Sequence, residues 1–217
     1  MARLLLIRHG RTEANAKGVL AGRSDHPLDE VGVRDVRVLA SHLSGLAPEF
    51  VATSPVARAR QTAAILTEGA GWTCPVRVDD DVAECDYGTW AGRSLVSLSS
   101  EPGWRTVVDN PPEAVFPGGE TMAEMFRRTA QAARRIAAEV GDGAAVVVSH
   151  GDPLRAIVAD LMGLPHRLFH SLVISPASMT VLVQDAATWR VQTLNWRPDK
   201  PWGLGSSAGR HLGGDTQ

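Results

Sequence analysis

The chain has 217 residues, enough for one domain with a substantial buried core, and shows no internal repeat. A net charge of −2 and a pI near 6.4 exclude a general attraction to nucleic acid or to an anionic membrane, so any anion binding must come from locally gathered arginines. Lysine occurs only at Lys17 and Lys200, a bias that suits a bacterial genome of high GC content, and the two cysteines, Cys74 and Cys85, form no zinc-type cluster and read as reduced thiols.

The chain opens Met-Ala-Arg and goes straight into an apolar run, Leu4-Leu5-Leu6-Ile7. No long apolar segment precedes it, so we expect a cytoplasmic protein without a membrane partner. The run predicts a strand buried on both faces of a parallel sheet, delivering Arg8-His9-Gly10 and a polar segment ending in Asn15 at its carboxyl end, where ligands of open α/β sheets collect. A glycine-bearing polar loop, Leu20 to Asp25, follows. Asp29 is expected to cap a helix in which Val36, Leu39, Ala40 and Leu43 line one face, ending near Gly45. Phe50 to Thr53 predicts a second buried strand, stopped by Ser54-Pro55. There Ser54 is expected to cap, and Pro55 to open, a helix whose first turns carry Arg58, so that helix N-terminus and guanidinium could act on one anion. Arg60 points to a different side.

Val76-Arg77-Val78 predicts a short strand and Asp79-Asp80-Asp81 a solvated turn. Glu84 and Asp86 stand in Glu84-Cys85-Asp86-Tyr87-Gly88, a loop position where a carboxylate is usually solvated. From about 94 to 119 regular pattern weakens around Pro102, Trp104, Pro111, Pro112 and Phe116, which suits a lid-like insertion, a binding wall or a structural excursion. Thr121 and Glu124 form a capping-box pattern opening a helix to Val140. Ala144 to Val148 is the clearest central strand, ending in Ser149-His150-Gly151, and a helix follows from Asp152-Pro153 to about Met162. Val181 to Val183 and Val191 to Leu194 predict a last pair of strands, antiparallel at the sheet edge. Residues 197–217 read as a loosely held tail. The whole predicts an α/β fold: a single-domain three-layer sandwich over residues 1–196, with a mostly parallel central sheet and helices on both faces.

Arg8-His9-Gly10 with Asn15, Ser54-Pro55 with Arg58, Gln61 and Thr62, Glu84 with Tyr87-Gly88, and Ser149-His150-Gly151 each place suitable chemistry after a predicted strand. Their order and types resemble the histidine phosphatase superfamily, which includes the phosphoglycerate mutases, over about Leu4 to Leu194. The resemblance implies a phosphoglycerate mutase-like fold, selects Arg58 over Arg60, and makes Glu84 the proton donor ahead of Asp86. It also implies that the 94–119 insertion helps shape the substrate pocket, with Trp104, Arg105 or Phe116 helping to choose the substrate, alongside Ala21, Gly22, Arg23 and Tyr87. Arg11, Ala14, Ala21 and Asp152 depart from the commoner pattern. Asp152 stands where a glycine is frequent and is expected to add negative charge at the pocket rim.

These residues suit phosphoryl transfer. A phosphoryl group spreads charge over its equatorial oxygens, which the guanidinium forks of Arg8 and Arg58 match. Asn15, His150 and Gly151 complete the expected phosphate contacts. A neutral His9, one ring nitrogen held by a backbone carbonyl, could attack phosphorus with the other. The leaving alkoxide needs a proton, expected from Glu84. The expectation is therefore a metal-independent phosphatase of small phosphate monoesters with no cofactor. A phosphoglycerate-type mutase, a metal hydrolase with His9, His150 and Glu84 as ligands, and a non-catalytic phospholigand-binding protein are the alternatives. The edge strands could support a homodimer.

Overall fold

The computed structural model describes residues 1–199. Six strands form one sheet: β1 (Ala2–Arg8), β2 (Phe50–Thr53), β3 (Val76–Val78), β4 (Ala144–Ser149), β5 (Met179–Asp185) and β6 (Thr188–Trp196), in the order β3-β2-β4-β1-β5-β6. The first four run parallel, and β5 and β6 add an antiparallel pair at one edge. The helices are α1 (Glu13–Lys17), α2 (Glu30–Ser41), α3 (Ala57–Ala70), α4 (Leu95–Leu98), α5 (Trp104–Asp109), α6 (Met122–Val140) and α7 (Gly151–Leu161).

Alternation along the strands divides the core into two layers. Leu4 and Leu6 of β1 with Ala145 and Val147 of β4 pack under α6 and α7, whereas Leu5, Ile7, Val146 and Val148 pack under α2 and α3. That is the expected three-layer sandwich. Asp29 caps α2, its Oδ1 accepting from Gly32 N at 2.7 Å, and Thr121 with Glu124 closes the capping box of α6. A third apolar cluster, holding Leu98, Val107, Ala114 and Phe116, fills the space beside α6.

Several expectations change. Residues 13–17, expected as plain polar segment, wind into α1 because Thr12 and Asn15 cap it reciprocally. Residues 95–98 and 104–109 form helices too short to show a period. Ser54 does not cap α3. Its Oγ accepts from Val56 N at 3.2 Å, and the helix starts only at Ala57. Asp79 and Asp81, expected in solvent, both pair with Arg135 of α6. At the start of the expected tail, Arg197 bonds to Asp35 of α2 at 3.1 Å, and from residue 200 that expectation lies outside the described residues.

Candidate active site

Parallel pairing of β1 with β4 sets Arg8 beside Ser149, so the residues that follow, His9 and His150, leave the sheet side by side. Their ring centroids are 5.1 Å apart, about one strand spacing. Alternation then turns Arg8 to the opposite face from His9. Arg8 donates from Nη1 to the Ile174 carbonyl at 2.7 Å, while His9 turns toward α3 and Arg58.

All five central side chains are buried: Arg8, His9, Arg58, Glu84 and His150. His9 Nδ1 lies 2.7 Å from the Gly10 carbonyl oxygen. A carbonyl only accepts, so Nδ1 carries the proton and Nε2 the lone pair. Arg58 Nε–H meets that lone pair at 3.0 Å. The rest of the Arg58 fork donates to the carbonyls of Ser24, at 3.1 Å, and Gly22, at 2.7 Å. Thr62, one turn along α3, accepts from Gly10 N and thereby ties that helix to the His9 loop. Burial chiefly, then the charges of Arg58 and Arg8, hold the pKa of His9 well below the ordinary histidine value. His150 is depressed likewise, by burial first and then by Arg58 and its neighbours, so both rings are neutral near pH 7.

His150 is anchored through its other nitrogen. Its Nε2 is 2.7 Å from Ser54 Oγ, and its Nδ1 is 3.9 Å from Glu84 Oε2. Glu84 Oε1 accepts from Cys85 N at 2.9 Å. The loop bearing Glu84 has almost no regular structure of its own and is gripped from α6. Arg128 donates to the carbonyls of Asp81 and Ala83, both at 2.8 Å, and to that of Glu84 at 3.0 Å. Its Nε and Nη2 pair with Glu120, whose Oε1 also accepts from Asp86 N at 2.9 Å. Arg23 Nε adds a second donor to the Glu84 carbonyl at 3.0 Å. Where the two turns meet, Gly119 allows a contact no side chain could, since a Cβ there would lie 2.1 Å from the Asp86 carbonyl oxygen.

The sequence profile of the histidine phosphatase superfamily (branch 1) matches residues 4–197, nearly the whole chain. The protein belongs to that superfamily. It is 35% identical over 167 residues, 76% of this chain and 77% of the relative, to a Cronobacter sakazakii protein named probable phosphoglycerate mutase GpmB. Among solved structures it is similar to a mycobacterial glucosyl-3-phosphoglycerate phosphatase, described as complexed with VO3, with TM-score 0.79 and 28% identity over 89% of this chain and 98% of that one. It is also similar to mycobacterial hydrolase 1, with TM-score 0.80 and 27% identity over 90% and 99%.

Of the residues expected from the resemblance to this superfamily, the structure gathers Arg8, His9, Arg58, Glu84 and His150 into one group. Gly151 begins α7 directly behind His150. Asn15 spends its side-chain oxygen on Thr12, 2.9 Å from the backbone N and 3.0 Å from Oγ1, so a phosphate contact could come only from its amide nitrogen. Gly22 contributes its carbonyl to Arg58, beside buried Ala21. Arg105 is not brought in: its side chain is 92% exposed and pairs with Asp109 along the outer face of α5. Trp104 lies against Trp90, ring centroids 6.1 Å apart, and Phe116 packs edge-on against Tyr87 at 4.9 Å, so both are parts of the third apolar cluster. Asp152 is not at a rim. It is buried, accepting from Tyr87 O–H at 2.7 Å and from Arg155 Nη1 at 2.9 Å. The sequence reading also missed Glu120 and Arg128, because a charged pair on and before an amphipathic helix reads as a solvated face. Among the described residues, no group of three or more His, Cys, Asp or Glu side chains is gathered as metal ligands. No helix among them is long and apolar enough to cross a membrane.

Proposed function

We propose that the protein is a metal-independent phosphatase that hydrolyses a small phosphorylated metabolite through a phosphohistidine at His9, with residues 1–196 as the catalytic domain. The observation that carries this reading is the tautomer of His9. Its Nδ1 proton is committed to the Gly10 carbonyl, so Nε2 is a nucleophile, and it sits beside a guanidinium able to bind the electrophile. A phosphate oxygen entering between them would take the Arg58 Nε–H and release the lone pair for attack. At about 4 Å and an effective dielectric near 20, each arginine–phosphate charge pair contributes roughly 4 kcal/mol, so Arg8 and Arg58 supply substantial binding.

His9 Nε2 attacks phosphorus as the ester P–O bond breaks. The leaving oxygen takes a proton from Glu84 and departs as the alcohol. Water then attacks the phosphohistidine, Glu84 recovers a proton from that water, and the P–N electron pair returns to Nε2. His150 steadies the transferring oxygens. A binding cation is disfavoured at His9 Nε2, because the guanidinium 3.0 Å away would repel it.

The relatives named as mutases favour a second reading, in which the same phosphohistidine returns its phosphoryl group to a second hydroxyl. One screen separates them. The purified protein is incubated with a panel of phosphate monoesters in EDTA, including 3-phosphoglycerate with and without the 2,3-bisphosphate, following phosphate and isomer together. Phosphate release that persists in EDTA is the expected result. Primer-dependent isomerisation without release would establish the mutase, and silence across the panel would leave the binding-protein alternative. Vanadate should inhibit release competitively, as an analogue of the pentacoordinate phosphoryl transition state.

A further inference from the structure

We propose that Asp152 is a positioning residue for the proton donor, fixing the Glu84 loop through Tyr87 against the helix that carries His150. This rests on the reading of Glu84 as the acid. Asp152 lies in the first turn of α7, two residues after His150, and Tyr87 lies three residues after Glu84. The Tyr87 O–H···Asp152 Oδ2 bond, 2.7 Å long and joining residues 65 apart in sequence, therefore ties the segment bearing one working group to the segment bearing the other. Tyr87, Asp152 and Arg155 are all buried, so the bond is not exchanged with water.

The other oxygen of Asp152 accepts from Arg155 Nη1 at 2.9 Å, and Arg155 Nε donates to the Leu172 carbonyl at 2.9 Å. Two residues beyond Leu172, the Ile174 carbonyl receives Arg8 Nη1. One buried carboxylate thus stands at the junction of the Glu84 loop, the His150 helix and the loop that orients Arg8.

The geometry favours positioning over a purely stabilising ion pair. Arg128 grips the Glu84 loop from α6, but its bonds end at the carbonyl of Glu84. Beyond Glu84, Glu120 accepts from the backbone of Asp86, and the Tyr87–Asp152 bond carries the loop to α7. With the loop fixed toward α6 on one side and α7 on the other, the 3.9 Å separation of Glu84 Oε2 and His150 Nδ1 is set by both braces. A negative charge in the first turn of α7 also suits the helix dipole, and pairing with Arg155 cancels its net charge near the phosphate site.

The test reads leaving-group dependence. Benzyl phosphate needs a proton on its departing alkoxide, whereas 2,4-dinitrophenyl phosphate does not. kcat/KM for both esters would be measured in the wild-type protein, Tyr87→Phe, Asp152→Asn, the double variant and Glu84→Gln, with thermal melts of each. Tyr87→Phe keeps the ring packed on Phe116 and removes only the hydroxyl, so it remains informative if Asp152→Asn, which strands Arg155, does not fold. We expect Glu84→Gln to lose far more activity on the benzyl ester. Tyr87→Phe and Asp152→Asn should share that skew, losing about tenfold more on the benzyl than on the aryl ester, and the double variant should be no more skewed than the worse single one. Equal losses on both esters, with Glu84→Gln still skewed, would make the network merely structural and overturn the proposal. An unskewed Glu84→Gln would instead remove Glu84 as the acid, and the proposal with it.

Discussion

His9 and His150 end neighbouring parallel strands in the same His-Gly motif, yet the protein ties down opposite nitrogens of the two rings. His9 is held at Nδ1 by a backbone carbonyl, which can only accept, and its tautomer is fixed. His150 is held at Nε2 by the hydroxyl of Ser54, which can donate or accept, and its Nδ1 faces a carboxylate. A fixed tautomer suits a nucleophile, whose lone pair must be present before substrate arrives. An adjustable one suits a group that donates to oxygens whose charge changes during the reaction.

The largest effects should separate these roles. His9→Ala is expected to lower turnover by at least about 10⁴-fold and to abolish covalent labelling, since it removes the proposed nucleophile. His150→Ala should still form an acid-labile, base-stable phosphoenzyme, about 10² to 10³-fold more slowly, because it removes one stabilising donor. Rapid-quench labelling with ³²P-substrate reads both. Label retained in His9→Ala, or lost only in His150→Ala, would exchange the two assignments.

A smaller effect sharpens the comparison through pH. The pKa of His9 is depressed by burial and by the charges of Arg58 and Arg8, and as the proposed nucleophile His9 could attack only when neutral. Replacing Arg58 by Gln removes one cationic neighbour, so the His9 pKa rises and protonation begins at higher pH. The acid limb of kcat/KM should therefore move to higher pH, beside a loss of about 10² in rate from the missing fork. An acid limb that stays in place, while the ¹⁵N resonance of His9 in the free protein titrates unchanged, would break the electrostatic account. The same depression has a stability consequence. The unfolded chain takes up protons below pH 6.5 while the folded histidines resist them, so stability is present above 6.5 and falls as pH drops toward the folded values.

Much of the site was legible because it sits where strands stop. Short apolar runs announced β1, β2 and β4, whose carboxyl ends parallel pairing brings together, and at those ends the resemblance singled out Arg8, His9, Arg58 and His150. The same pattern exposed both faces of the sheet. What escaped notice depends on partners distant in sequence. Arg128 reaches Glu84 across 44 residues, Glu120 reaches Asp86 across 34, and Tyr87 reaches Asp152 across 65. No local period reports such bonds, and charged side chains read as solvated unless a buried partner is known. The short helices α1, α4 and α5 were hidden for a related reason: with one turn or little more, capping and tertiary packing decide them, not periodicity. Arg105 and Trp104 were placed near the substrate by resemblance alone, and packing assigns them to an exposed helix face and to an apolar cluster.

The mildest test addresses why the anchors differ. Ser54 Oγ accepts from Val56 N and still has a hydrogen to offer His150 Nε2, an arrangement that favours the ring proton on Nδ1, facing Glu84, without excluding the other tautomer. Ser54→Ala removes that anchor without touching either carboxylate or guanidinium. His150 then loses its preference between tautomers, and a cost of one ordinary hydrogen bond predicts a threefold to tenfold fall in kcat at about 1 kcal/mol, with little change at His9. The ¹⁵N shifts of His150 should move toward a mixture of the two neutral forms while those of His9 keep the Nδ1–H pattern. If both rings change together, the strand ends are coupled through Arg58 rather than anchored separately, and the contrast between a fixed and an adjustable histidine does not hold.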